Sequence, residues 1–146
     1  MKMYIGGQWV DKSDTIDVLN PFDGSVIDTI PKGDASDVDT AIASAERGAK
    51  AMASLSGYER YQILHKASEL MTERLDDLGR TITLEEGKVL AEGMGEAARA
   101  QETITLSAEE AKRLGGEVVP LDGSSNGAGK FGFTLRVPCG VVAAIT

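Results

Sequence analysis

The segment LEEGK, residues 84–88, places two neighbouring carboxylates, Glu85 and Glu86, shortly before Lys88. Paired carboxylates can share proton-transfer work in general acid–base catalysis, and carboxylate oxygens also suit a bound cation. Gly87 is instead typical of a helix end, where charged side chains lie on a solvated surface. The residues alone leave acid–base chemistry, cation binding and a solvated helix end as alternatives.

Arg99 lies in the helical segment EAARAQE, between Ala98 and Ala100. Because small neighbours leave a guanidinium accessible, this side chain could bind an anionic group. The alternative is an ion pair on the helix surface with Glu96 or Glu102, since each carboxylate lies three residues away. Arg99 is therefore a candidate anion anchor that has two candidate internal partners.

Three glycines, Gly127, Gly129 and Gly132, match the spacing of a dinucleotide-binding fingerprint. That motif works only where it follows a strand and opens a helix, because the helix N-terminus binds the pyrophosphate. Here the β-branched segment FTLRV follows instead. The glycines therefore indicate a flexible hairpin loop.

Cys139 is the single cysteine and His65 the single histidine. A nucleophilic thiol needs a base or a lowered pKa, and the neighbours of Cys139, Pro138 and Gly140, supply neither. We therefore expect an inert, buried thiol. With no second histidine and no paired cysteine, these side chains do not form a metal-binding constellation.

Two β-hairpins are predicted in the first thirty residues. Gly6 and Gly7 supply the turn of the first hairpin, and the turn formers at residues 20–24 separate the strands TIDVL and SVIDTI. Further on, EVVPL and FGFTLRV are predicted strands joined by the Gly-Ser-rich loop. The apolar run at residues 141–145 is typical of a strand buried on both faces of a parallel sheet.

Three helices are predicted between the hairpins and the later strands. The first is capped by Asp34 or Ser36, and the second is a long helix opened by the capping box of Ser56 and Glu59. The third runs roughly over residues 89–114 and ends before a Gly-Gly pair. The predicted buried stripe of the first helix is Val38, Ala41, Ile42 and Ala45.

Composition excludes several classes of protein. The 146 residues carry 15 Lys and Arg against 23 Asp and Glu, a net charge of −8. Such an acidic chain is unsuited to nucleic acid or to anionic membrane surfaces, and no apolar stretch approaches the ~20 residues of a membrane span. The start lacks a signal-peptide pattern, and a single cysteine fits a reducing compartment, so we expect a cytoplasmic location.

Seven segments, weak individually, follow one another along the chain: YIGGQWV, NPFDGSVI, DVDTAIASA, ERYQILHKASELM, LEEGKVLAEGMGEAARA, AEEAKRLGGEVVP and RVPCGVVAAIT. In this order they resemble the amino-terminal part of the aldehyde dehydrogenase superfamily. Within that superfamily they are most similar to the lactaldehyde and non-phosphorylating glyceraldehyde-3-phosphate type. The resemblance covers essentially the entire chain.

The resemblance implies an α/β fold with short β-strands, three helices, a β-hairpin and the first strand of a Rossmann-like sheet. Residues 1–116 would belong to the cofactor-binding domain, and residues 138–146 would form the first strand of its nucleotide-binding sheet. Residues 117–137 would be an oligomerisation hairpin that reaches a partner subunit in a homodimer or homotetramer.

The resemblance also implies an activity. A parent enzyme would oxidise an aldehyde to a carboxylic acid with NAD or NADP, through a cysteine thiohemiacetal. In the family the oxyanion-binding asparagine, the catalytic cysteine and the general-base glutamate follow further along the chain, and Cys139 does not match the nucleophile. We therefore expect this chain to be an amino-terminal fragment that is inactive alone.

Five residues receive roles from the resemblance. Ile145 and Thr146 would contact the cofactor on its adenosine side, and Arg99 would contact the anionic tail of a substrate. Glu86, with the backbone near Val18, would form a monovalent-cation site. The alternative to an enzyme fragment is a free-standing, non-catalytic module that associates through its unpaired strand edges.

Overall fold

The computed structural model describes residues 1–145 and confirms both amino-terminal hairpins. The paired strands are β1 (Met3–Ile5) with β2 (Gln8–Val10), and β3 (Thr15–Leu19) with β4 (Val26–Pro31), each pair antiparallel. Gly6 and Gly7 have φ angles of 59° and 83°, the left-handed conformation that the two-residue turn requires.

Within residues 1–145, four helices follow the hairpins, where three were predicted. They are α1 (Ala35–Ser54), α2 (Gly57–Glu73), α3 (Leu75–Glu86) and α4 (Leu90–Ala111). The predicted caps are confirmed, because Asp34 forms a capping box with Asp37 and Ser56 forms one with Glu59. Each box satisfies backbone N–H groups that have no partner within the helix.

The predicted long second helix is wrong, because the chain leaves helical geometry at Arg74 and forms α2 and α3 instead. Arg74 has φ −108° and ψ 16°. Neither proline nor glycine marks this position, so the apolar period continues through it in the sequence. The carboxylates of Asp76 and Asp77 in the first turn of α3 favour a new helix N-terminus. The bend allows both α2 and α3 to pack against α4.

Helix α4 is the central helix, and its contacts depend on small residues. The buried apolar side chains of α4 are Ala97, Ala108 and Ala111. Gly79 of α3 and Gly93 of α4 are also buried. A Cβ atom on Gly93 would overlap Thr83 Oγ1 and the carbonyl oxygen of Gly79. The two helices therefore approach one another as closely as glycine permits.

Replacing Gly93 with alanine is expected to destabilise the chain by about 1–3 kcal/mol, the usual range for overpacking a tight contact. Gly95→Ala on the same helix is the matched control, because a Cβ there meets nothing within 4 Å. We expect that control to stabilise by about 0.5–1 kcal/mol, since alanine loses less backbone entropy than glycine. Urea unfolding measures both. Equal stabilisation by the two variants would contradict the close approach of α3 and α4.

The predicted buried stripe of α1 is wrong. Val38 and Ile42 are 55% and 46% exposed, and no residue of α1 is buried. The reason is that α2 and α3 pack against α4, whereas the main described contact of α1 is with β1. The apolar face of α1 is therefore available to a further layer of structure.

The carboxyl-terminal third confirms the hairpin. The strand expected at residues 141–145 does not form within this chain, and its place in a larger sheet stays a prediction. Strands β5 (Val118–Val119) and β6 (Gly132–Phe133) pair antiparallel over two residues each. Residues 134–145 contain no strand, and Val142 and Ile145 are 70% and 95% exposed. Cys139 is exposed rather than buried as predicted. A buried strand needs paired neighbours and covering helices, and within residues 1–145 no strand pairs with residues 141–145.

We expect the chain to self-associate, because its apolar side chains on α1 and on residues 141–145 are exposed to water. Light scattering over a concentration series measures this association. Val142→Asp should reduce the apparent mass, whereas Thr40→Asp, at an exposed polar position of α1, should leave it unchanged. A monodisperse monomer with slow amide exchange across residues 141–145 would contradict this expectation.

Candidate functional site

The candidate site comprises the last residue of α3, the α3–α4 loop and the first half of α4, residues 86–99. Gly87 ends α3 in the left-handed conformation, with φ 68°, and its N–H donates to the carbonyl of Thr83. A Cβ on Gly87 would lie 2.7 Å from Cγ of Pro21. Two requirements therefore favour glycine at position 87: the left-handed backbone and the lack of space for a side chain. The approach of Pro21 to Gly87 packs the β3–β4 turn against the α3–α4 loop.

Lys88 is the centre of a cluster of three charged side chains, which we call the Lys88 cluster: Lys88, Glu86 and Glu96. Its Nζ lies 2.5 Å from Glu86 Oε2 and 2.5 Å from Glu96 Oε2. The two carboxylates raise the pKa of Lys88, and the hydrogen bond from Lys88 lowers the pKa of Glu96. The cluster therefore ties the α3–α4 loop to the second turn of α4.

Arg99 lies on α4 one turn beyond Glu96, and its side chain is exposed. In the described part of the chain it forms an ion pair with neither Glu96 nor Glu102, the two partners considered from sequence. Glu96 binds Lys88 instead. One turn earlier on the same face, Gly95 leaves open space. The guanidinium of Arg99 is therefore accessible to an external anion.

The structure gives Glu86 a partner that the sequence analysis did not anticipate. Its carboxylate binds the ammonium of Lys88, and both Glu85 and Glu86 are exposed. Over residues 1–145, no cluster of three or more His, Cys, Asp or Glu side chains could hold a metal ion. These contacts favour the solvated helix end over an acid–base pair. The cation site at Glu86 and Val18 stays a prediction, in which Lys88 would compete for the carboxylate.

The remaining sequence candidates lie elsewhere. The loop that contains Gly127 and Gly129 leads into β6 rather than into a helix, so it does not have the geometry of a phosphate loop. Ile145 is 95% exposed, and Thr146 lies outside the described residues. The cofactor role of these two residues stays a prediction. The sequence did not predict Lys88 as a partner of Glu96. The two residues are eight positions apart and Lys88 lies before the start of α4, so the helical period does not relate them.

The whole sequence from residue 9 onward matches a known family. Residues 9–146 match the family described as Aldehyde dehydrogenase family. The chain belongs to the aldehyde dehydrogenase family. This confirms the family resemblance stated from the seven sequence segments, and the four helices and short strands match the amino-terminal part of that fold.

Individual aldehyde dehydrogenases agree with the family match. The chain is 38% identical over 144 residues to 3-sulfolactaldehyde dehydrogenase of Priestia aryabhattai, covering 99% of this chain and 30% of that protein. It is 40% identical over 144 residues to the NADP(+) succinate-semialdehyde dehydrogenase GabD of Escherichia coli, covering 97% and 29%.

A solved structure is also similar. It is that of aldehyde dehydrogenase 21 from Physcomitrella patens in complex with the reaction product succinate. It superposes with a TM-score of 0.82 at 32% identity, covering 90% of this chain and 28% of that chain. The chain thus spans about 30% of the length of the curated relatives it matches.

No helix in residues 1–145 is both long and apolar enough to cross a membrane. The cytoplasmic location expected from the single cysteine stays a prediction.

Proposed function

We propose that this chain is the amino-terminal part of an NAD(P)-dependent aldehyde dehydrogenase that oxidises an aldehyde to a carboxylic acid. The observation that carries the proposal is the family match over residues 9–146, within relatives about three times as long. A relative that is 40% identical is named for NADP(+). Ile145 and Thr146 would contact NAD or NADP, which would accept the hydride when bound.

The proposed division of the chain follows the same relationship. Residues 1–116 would belong to the cofactor-binding domain, and residues 138–146 would enter its nucleotide-binding sheet. Residues 117–137 would reach a partner subunit in a dimer or tetramer. The exposed Phe131 and Phe133 support an association role for this hairpin, at 74% and 60% exposure.

The proposed substrate is an aldehyde with an anionic tail, and Arg99 would bind that tail. Three observations support this choice: the guanidinium is exposed, it has no internal ion pair among the described residues, and open space adjoins it at Gly95. Two relatives are named for aldehydes that carry a sulfonate or a carboxylate, sulfolactaldehyde and succinate semialdehyde. A guanidinium suits both groups, because its planar fork binds their oxygens bidentately.

A non-catalytic association module is the second candidate. Its support is the exposed apolar surface on α1 and on the β5–β6 hairpin, together with strands that pair on one edge only. As a module, the chain would act through partners rather than through chemistry. Neither candidate requires a catalytic residue among residues 1–145.

The complete reading frame that contains this chain tests the two candidates against each other. We expect the frame to continue past Thr146 into the residues that aldehyde oxidation requires, and the expressed product to reduce NAD or NADP with succinate semialdehyde. A stop codon directly after Thr146, with no turnover by the product, would favour the association module.

A further inference from the structure

We propose that Lys88 is a positioning residue that keeps Arg99 available for an anionic substrate tail, by holding the neighbouring carboxylate of Glu96. This inference rests on the proposed role of Arg99. In the absence of Lys88, Glu96 would be the natural partner of Arg99, and an internal ion pair would occupy the guanidinium that the substrate needs.

Glu96 is the carboxylate that competes most directly for Arg99. It lies three residues before Arg99 on α4, a spacing at which helical side chains meet. It also has the favourable orientation, with the acidic residue on the N-terminal side of the basic one. Glu102 lies three residues after Arg99 and has the reverse orientation. The accessibility of Arg99 therefore depends chiefly on whether Glu96 pairs with Lys88 or with Arg99.

Lys88 binds the Glu96 carboxylate more strongly than Arg99 does, because Lys88 lies in the more enclosed position. The side chain of Lys88 is only 23% exposed, whereas Arg99 is exposed. Opposite charges attract more strongly where water is partly excluded, and exposed pairs are worth little. Lys88 also donates a direct hydrogen bond to Glu96, whereas Arg99 acts on that carboxylate only by Coulomb attraction. Within residues 1–145, Arg99 therefore makes no ion pair that would occupy its guanidinium.

The first test uses the complete enzyme and compares succinate semialdehyde with the neutral aldehyde propanal. Lys88→Met should raise KM for succinate semialdehyde about three- to tenfold at unchanged kcat, since released Glu96 then competes for Arg99. Propanal kinetics should change less than about twofold, because propanal has no tail for Arg99 to bind. K88R retains a cation at this position, so its KM for succinate semialdehyde should stay close to the wild-type value.

Two double variants separate this competition from a simple loss of positive charge. K88M/E96Q removes the competing carboxylate and should restore KM. K88M/E92Q has the same net charge but leaves Glu96 free, so KM should stay raised; Glu92 is exposed in the first turn of α4. Equal rescue by both doubles would overturn the proposal in favour of long-range electrostatics.

The second test needs no turnover and uses the complete enzyme without its substrate. Carboxylate NMR titration should show that R99Q barely moves the pKa of Glu96 in the wild type. In the K88M background the same R99Q change should raise the Glu96 pKa clearly, because Arg99 has become its partner. No difference between the two backgrounds would overturn the proposal. If Arg99→Ala has no effect on succinate semialdehyde, the proposed function fails instead, whatever the titration shows.

Discussion

Replacing Arg99 with alanine in the complete enzyme is expected to lower kcat/KM for succinate semialdehyde about ten- to a hundredfold. A carboxylate tail bound by a guanidinium makes charge-assisted hydrogen bonds worth about 1.5–3 kcal/mol, and this range corresponds to that loss. Propanal should be affected less than about twofold, because it has no tail to bind. Arg99→Lys should lie between, since an ammonium keeps the charge but loses the planar fork.

Arg113→Ala is the matched control for Arg99. It removes another exposed guanidinium that follows α4, but one that already pairs with Glu110 at 2.5 Å. We expect no selective loss toward the anionic aldehyde. Steady-state kinetics on both aldehydes measure each variant. If Arg99→Ala reduced the two substrates equally, or reduced neither, Arg99 would not be the anchor of the tail.

The 146-residue chain by itself is expected to show no NAD- or NADP-dependent aldehyde oxidation. The reaction requires an activated thiolate, oxyanion donors and a general base. The single thiol, Cys139, is exposed and lies between Pro138 and Gly140. Neither of these two neighbours supplies a base or a charge that would activate the thiol.

The absorbance of the reduced cofactor, recorded with the 146-residue chain, NAD or NADP and succinate semialdehyde, measures this activity. The complete enzyme is the positive control, and Cys139→Ser in the chain is the matched variant. Turnover above background in the wild-type chain that Cys139→Ser abolishes would contradict the expectation. It would then make Cys139 a nucleophile, against the prediction from its neighbours.

Local patterns in the sequence predicted the elements whose geometry depends on a few adjacent residues. Gly6 and Gly7 determine a hairpin turn because both need a positive φ, and Ser56 with Glu59 determines a helix start by reciprocal hydrogen bonds. Gly87 was likewise predicted as a helix end. The order of such segments also sufficed to identify the family, which the match over residues 9–146 confirms.

The apolar patterns were less reliable, because burial depends on what packs against a segment. The stripe of α1 and the run at residues 141–145 are both apolar, yet both are exposed in this chain. The sequence records only that these segments suit a buried environment. Which residues cover them is a property of the packing, and within residues 1–145 much of their apolar surface stays exposed.

The sequence by itself determined the family, the hairpins, the caps and the presence of an arginine among alanines on a helix. Tertiary structure decided where α2 ends, since the sequence around Arg74 contains no proline or glycine that would end a helix. The chain bends at Arg74, and this bend lets both α2 and α3 pack against α4. It also decided the partner of Glu96. Sequence spacing favours Arg99, three residues away, whereas the fold brings Lys88 to the same carboxylate from across the α3–α4 loop. Which side chains meet across a loop depends on the course of the backbone through that loop. The helical period describes only neighbours on the same helix.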